Sequence, residues 1–87
     1  MTGLYHVYVI QSNQTKELYF GFTGDIEQRV KEHNEGKNTS TAEQRPWTLV
    51  YCESYRSERD ARNREQKLKH YGNARTYVKR RLTNGLL

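Results

Sequence analysis

Eighty-seven residues carry 15 Lys and Arg against 10 Asp and Glu, a formal net charge of +5, with 33% apolar and 29% charged residues. That composition bounds the chain to one small domain, residues 1–87, whose core is only just large enough to fold without covalent staples. A single cysteine, Cys52, excludes an internal disulfide and a cysteine-cluster zinc site, and no apolar run approaches the roughly 20 residues that span a bilayer.

The simple expectation is a reducing, cytoplasmic setting, with no signal peptide ahead of the first strand-like segment and no membrane partner. Mean hydropathy is −1.12, and seven tyrosines help to offset it, because a tyrosine can bury its ring while its hydroxyl stays paired or wet.

Leu4 to Ile10 (LYHVYVI) is rich in aromatic and β-branched residues and predicts a strand. The polar QSNQTKE follows, and Leu18 to Phe22 predicts a second strand, so the pair reads as a hairpin with a loop of medium length. From Asp25 to about Glu35 the spacing is helical, with Thr23 or Asp25 as cap and Gly36 at the exit. After the polar KNTSTAEQR and Pro46-Trp47, TLVYCESY predicts the third strand. Ser57 opens a second helix, with Asp60 three residues on as a variant capping box, running to about Tyr71. Asn73 can cap a last short helix with Ala74, Tyr77, Val78 and Leu82 as its apolar stripe. The order β-β-α-β-α-α is an α+β pattern, three strands with helices packed on them.

Charge is divided along the chain. Residues 1–55 hold five Lys/Arg against seven Asp/Glu, whereas residues 56–87 hold ten against three. A basic half on a mildly acidic domain is the footprint of a polyanion binder; a solvated helix face is the plainer explanation. Arg56, Arg59, Lys67, Lys69, Lys79 and Arg80 are the candidate phosphate contacts.

On the first helix, with Ile26 at zero and about 100° per residue, Val30 falls near +40°, His33 near −20° and Arg29 near −60°. Arg29 and His33 therefore share or border the face that meets the sheet. For an isolated Arg and His, packing at a rim is the commoner outcome. On the second helix, Ala61, Glu65 and Leu68 fall at i, i+4, i+7, which puts Glu65 on the inward stripe while Arg62, Arg64 and Lys67 point to water. An inward carboxylate needs a cation: a structural salt bridge, with Arg29 as one donor, or a hard divalent metal ion.

GFTG lacks the endings of a P-loop or dinucleotide site, the three histidines have no metal-ligand spacing, and no serine sits in a nucleophile elbow. With Glu65 the one inward acid identified, a carboxylate-rich two-metal site is disfavoured. Tyrosines on adjacent strands, an Arg and a His one turn apart and one inward Glu remain. Phosphodiester cleavage has a use for each: a base for water, a cation for the pentacovalent phosphate, a metal for the leaving oxygen.

These residues resemble the GIY-YIG (URI-domain) endonucleases, particularly the small stand-alone bacterial type. His6-Val7-Tyr8 and Tyr19-Phe20-Gly21 resemble the two signature strands, with Tyr8 and Tyr19 11 residues apart. TGDIEQRVKEHNEGK resembles the first helix, RPWTLVYCESY the third strand, and ARNREQKLK the helix that bears the metal-binding glutamate. The resemblance implies a central three-stranded antiparallel sheet flanked by helices and a catalytic set of Tyr8, Tyr19, Arg29, His33 and Glu65. It further implies one Mg²⁺ (or Mn²⁺) per site on Glu65, with Arg29 on the scissile phosphate. Tyr8 leads as the proton-accepting or water-orienting group, Tyr19 stands beside it, and His33 assists. Gly21 is expected to end the second strand where a side chain would crowd the phosphate or the helix. His6 and Phe20 replace the usual signature residues as packing variants, and Asn73 is the one available match for a late asparagine of the family.

The expected activity is metal-dependent, structure- or backbone-directed hydrolysis of DNA, in repair or recombination, with RNA left open. Sequence specificity would come from a protein partner. A binding module of the same fold without catalysis is the alternative, with Glu65 paired to Arg29.

Overall fold

Eight residues, Tyr5–Ser12, form β1 at the centre of a three-stranded antiparallel sheet. The edges are β2 (Leu18–Thr23) and β3 (Trp47–Tyr55), in the order β2-β1-β3. The structure is a computed structural model that describes residues 3–70 together with Thr76 and Arg80. Of the expected last helix only Thr76 and Arg80 are described, both helical; its Asn73 cap, its apolar stripe and Lys79 lie outside the described residues. A central strand covered on both faces needs apolar side chains in both directions. Val7, Tyr8, Val9 and Ile10 accordingly form an unbroken buried run.

The two faces are covered by different helices. Tyr8, Ile10 and Trp47 pack with Ile26 and Val30 of α1 (Ile26–Asn34). Val7, Val9 and Phe20 pack with Ala61 and Leu68 of α2 (Glu58–His70). The chain is therefore an α+β fold of order β-β-α-β-α over its described residues, with a short 3-10 turn at Ala42–Gln44 before β3.

The helix ends follow the expected chemistry. The Asp25 carboxylate accepts from the Gln28 amide at 3.2 Å, and Ser57 Oγ accepts from the Asp60 amide at 3.2 Å. At the end of α1, Gly36 takes φ +79°. Its amide bonds the His33 carbonyl, and the Lys37 amide bonds that of Glu32, a Schellman closure. The Asn34 amide group then grips β3, accepting from the Trp47 amide at 2.6 Å and donating to its carbonyl at 3.0 Å.

A β-bulge decides which way β3 faces. Val9 pairs with Tyr51 but Ile10 with Leu49, so Val50 is the extra residue. Cross-strand partners share a face. Trp47 and Leu49 therefore belong to the α1 side, while Tyr51, Glu53 and Tyr55 have switched to the α2 side. There the Glu53 carboxylate takes a bidentate pair from Arg64 at 2.9 and 3.1 Å, plus the Tyr51 and Tyr55 hydroxyls at 2.5 and 2.6 Å. This corrects two expectations: Arg64 does not point to water, and Glu65 is not the one inward acid. Arg62 is also engaged, over the Phe22 ring at 4.5 Å and paired with Glu58. Strict alternation hid this network, because it puts Glu53 on the same face as Trp47.

Candidate active site

Tyr8 stands directly opposite Gly21 in the β1–β2 register. A Cβ built on Gly21 would lie 2.3 Å from both Cζ and the hydroxyl oxygen of Tyr8. The glycine thus makes room for the phenol of its cross-strand partner. It also lies inside β2, which continues to Thr23, and does not end it. The expected role of Gly21, leaving space for a phosphate or a helix, gives way to this closer occupant.

His33, on the buried face of α1, meets that phenol: its Nε2 lies 2.8 Å from the Tyr8 hydroxyl. On the other side of the ring, Nδ1 lies 2.8 Å from Thr41 Oγ1. The Thr41 hydroxyl donates to the Asn38 carbonyl at 3.3 Å, so its oxygen accepts from Nδ1–H. The neutral imidazole then presents an unprotonated Nε2, and Tyr8 donates to it. Tyr19 closes the pocket edge-on, its ring centroid 5.0 Å from that of His33 and 6.3 Å from that of Trp47. Tyr8, His33 and Thr41 are all fully or almost fully buried.

The electrostatics hold the proton where the geometry puts it. Burial pushes the Tyr8 pKa up to about 12, against the pull of the nearby Arg29 guanidinium. Burial, followed by the charge of Arg29, holds the His33 pKa below its ordinary 6.5. Arg29 interacts with the Tyr8 phenol and makes an ion pair with Glu32 at 3.1 Å, yet its side chain is still 37% exposed. It is a half-exposed cation sitting beside a buried phenol.

Glu65 comes from α2, and its charge is felt at Tyr8. Its side chain is only 12% exposed, and its partner is Lys69 on the next turn at 3.0 Å. Of the two partners open to Glu65 from the sequence, the Arg29 salt bridge does not form: the structure has two local pairs in its place, Arg29–Glu32 and Glu65–Lys69, both at helical spacing where short reach favours them. Lys69 thus has a partner within its own helix, and the other described candidates, Arg56, Arg59, Lys67 and Arg80, are exposed, as Lys69 is.

Sequence reasoning missed Thr41, which lies in a stretch read only as polar loop. Its one signal is composition: a Thr among Asn and Ser marks a turn that can turn a hydroxyl inward. Among the described residues, no cluster of three or more His, Cys, Asp or Glu is placed to hold a metal ion. Any ion here would rest on Glu65, its own waters and substrate oxygen. Mg²⁺ suits such a set, since it keeps several waters and binds through one or two carboxylates.

Tyrosines side by side on β1 and β2, with a helix bringing Arg and His to them, form a pattern shared with known proteins. The model of the GIY-YIG catalytic domain matches residues 4–82. The chain belongs to the GIY-YIG family. A UPF0213 protein of Bacillus velezensis is 38% identical over 69 residues, covering 78% of this chain and 69% of the relative. One from Halobacterium salinarum is 38% identical over 72 residues, covering 82% and 92%. The solution NMR structure of a UPF0213 protein from Bacillus halodurans superposes with a TM-score of 0.57 at 26% identity, covering 94% of this chain and 86% of that one. The GIY-YIG assignment points to nuclease activity and a DNA substrate. Among the described residues, no helix is long and apolar enough to cross a membrane. The two signature variants are packing changes here: Phe20 joins the α2-side core, and His6 hydrogen bonds Ser54 at 2.7 Å.

Proposed function

We propose that the protein is a divalent-metal-dependent endonuclease that hydrolyses DNA phosphodiester bonds, directed by backbone and structure and not by base sequence. The observation that carries this reading is the buried 2.8 Å contact between the Tyr8 hydroxyl and His33 Nε2, with the Arg29 guanidinium beside the phenol. A purely structural core has no need to bury a tyrosine against a histidine with a half-exposed cation beside them.

With a pKa of about 12, Tyr8 does not form a free phenolate at neutral pH. A relay avoids that species. As the Tyr8 proton passes to His33 Nε2, the phenol oxygen takes a proton from water, and the resulting hydroxide attacks phosphorus. Thr41 holds the opposite ring nitrogen and fixes the direction of transfer. Arg29 hydrogen bonds the phenol from a half-exposed position, so its movement onto a phosphate both neutralises the added charge and frees the phenol oxygen to take a proton from water. A Mg²⁺ or Mn²⁺ ion on Glu65, one per site, supplies charge stabilisation at the leaving oxygen when bound. Lys69 must release Glu65 for this; the pair is a local i,i+4 contact whose ammonium is partly exposed, so water can take up the lysine when it lets go. Arg56, Arg59, Lys67 and Arg80 hold phosphates without reading bases, and a protein partner selects the substrate.

A binding module of the same fold is the second reading, favoured by the Glu65–Lys69 pair, which satisfies the carboxylate without metal. Incubation with supercoiled plasmid and branched DNA, in Mg²⁺ or EDTA, separates the two. The nuclease reading expects metal-dependent nicking that Glu65→Ala and Arg29→Ala both abolish. DNA binding without cleavage of any substrate by the wild type would establish the binding module.

A further inference from the structure

Next to the Tyr8–His33 pair, on the far side of Tyr19 and Thr41, a cleft of about 380 Å³ opens at the hairpin end of the sheet. Its walls include Thr15, Lys16, Tyr19, Ser40, Gln44 and Trp47. Two lining residues also touch His33: Tyr19 by its ring, and Thr41, a further part of the wall, by its hydroxyl. The proposed cleavage chemistry uses the far side of Tyr19 and Thr41 and leaves Thr15, Lys16, Ser40 and Gln44 without a role.

We infer that this cleft is a subsite for one unpaired nucleotide of the DNA substrate, next to the scissile phosphate; the inference rests on the nuclease reading above. The size is at the lower end of small-ligand pockets, enough for a single nucleotide and not for a base pair. The chemistry is that of single-strand recognition: an aromatic ring, Tyr19, for a base to lie against, amide and hydroxyl groups for base edges, and the Lys16 ammonium for phosphate. Glu17, beside Lys16, offers an acceptor for an exocyclic amine.

The walls are already built. Ser12 Oγ donates to the Gln44 carbonyl at 2.7 Å and accepts the Gln14 and Thr15 amides, while Thr15 Oγ1 donates to Gln44 Oε1 at 2.7 Å. The Asn13 amide bonds the Pro46 carbonyl at 2.9 Å. The Trp47 indole bonds the Thr41 carbonyl at 2.9 Å. The hairpin loop and the segment before β3 are thus stitched together across the cleft, so binding has little ordering cost. A groove that accepts one unpaired nucleotide beside the reacting site gives a nuclease a preference for branched or frayed DNA over intact duplex.

Trp47 is the single tryptophan and lies in the wall, so its fluorescence reports occupancy without any cleavage. Arg29→Ala protein, which the nuclease reading makes inactive, would be titrated with deoxyadenosine monophosphate, a short oligo-dT strand and a blunt duplex. The expected result is a saturable change with the mononucleotide and the single strand, at an affinity for the single strand about tenfold above that for the duplex. Ser40→Phe fills the mouth from an exposed position, and Lys16→Ala removes the cation. Both should weaken single-strand binding by about tenfold while leaving thermal melting unchanged. No fluorescence change with any probe, or equal response to duplex and single strand, overturns the subsite. Saturable binding by a wild type that cuts nothing sustains the subsite and removes the nuclease reading. Cleavage by a wild type and by Ser40→Phe with equal preference for branched DNA does the reverse.

Discussion

Alanine at position 21 adds one methyl group inside β2, and in an ordinary strand interior that change stabilises by about 0.5–1 kcal/mol through the unfolded chain. Here the sign should reverse. The new Cβ would lie 2.3 Å from Cζ and the hydroxyl oxygen of Tyr8 and 2.7 Å from Cε1, against a rigid ring on a fully buried residue. The ring cannot stay, and moving it breaks the 2.8 Å bond to His33. Overpacking of this kind costs about 1–3 kcal/mol, and leaving His33 Nε2 buried without its donor adds about 1–3 kcal/mol. Against the entropic gain, Gly21→Ala is expected to cost about 2–4 kcal/mol, a fall in Tm of roughly 10–25 °C for a domain of this size. Urea and thermal unfolding followed by circular dichroism measure it directly. In a Tyr8→Leu background, which removes the distal ring atoms, the same Ala substitution should cost less than about 0.5 kcal/mol. A Gly21→Ala protein as stable as the parent would show that the glycine does not house the phenol.

Thr41→Val removes the acceptor for His33 Nδ1–H at nearly constant volume; it should cost about 1–3 kcal/mol and shift the imidazole tautomer ratio in nitrogen NMR, where an unchanged ratio would count against the relay. His33, whose pKa is held below 6.5 by burial and by Arg29, favours the neutral form in the folded state. Its contribution to stability is therefore complete above 6.5 and is lost as pH falls below 6.5 toward the folded value, so NMR titration should find His33 protonating below 6.5 in the folded protein. Glu53 is raised by burial but lowered more by Arg64, Tyr51 and Tyr55, for a net pKa below 4.5. That stability is present above 4.5 and disappears on further acidification, and Glu53→Gln should cost about 2–4 kcal/mol at neutral pH, flattening the acid limb of a stability–pH curve.

Much of the fold was legible because its signals are local. The aromatic and β-branched run of β1, the Asp25 and Ser57 caps and Gly36 at the helix exit each act within a few residues, and the sheet with its flanking helices follows from them. Periodicity also put His33 on the inward face of α1, where it lies fully buried. What sequence spacing misplaced depends on contacts made at a distance or on a break in period. The bulge at Val50 turns Glu53 toward Arg64, and no alternation rule contains it. An inward Glu65 calls for a cation, and spacing does not say which; Lys69 is one turn away and the local pair prevails over Arg29 across elements. Gly21 reads as a strand end until the register sets it against Tyr8. Thr41 reaches His33 only because the loop after α1 folds back over it.

Tyr8→Phe keeps the ring that Gly21 houses and deletes the one atom that the proposed chemistry turns on. Single-turnover cleavage of a branched DNA in Mg²⁺, with duplex affinity measured alongside, therefore tests the central claim most directly. The account predicts a rate lower by about 10²–10⁴-fold with affinity unchanged. Cleavage by Tyr8→Phe at the wild-type rate would contradict it.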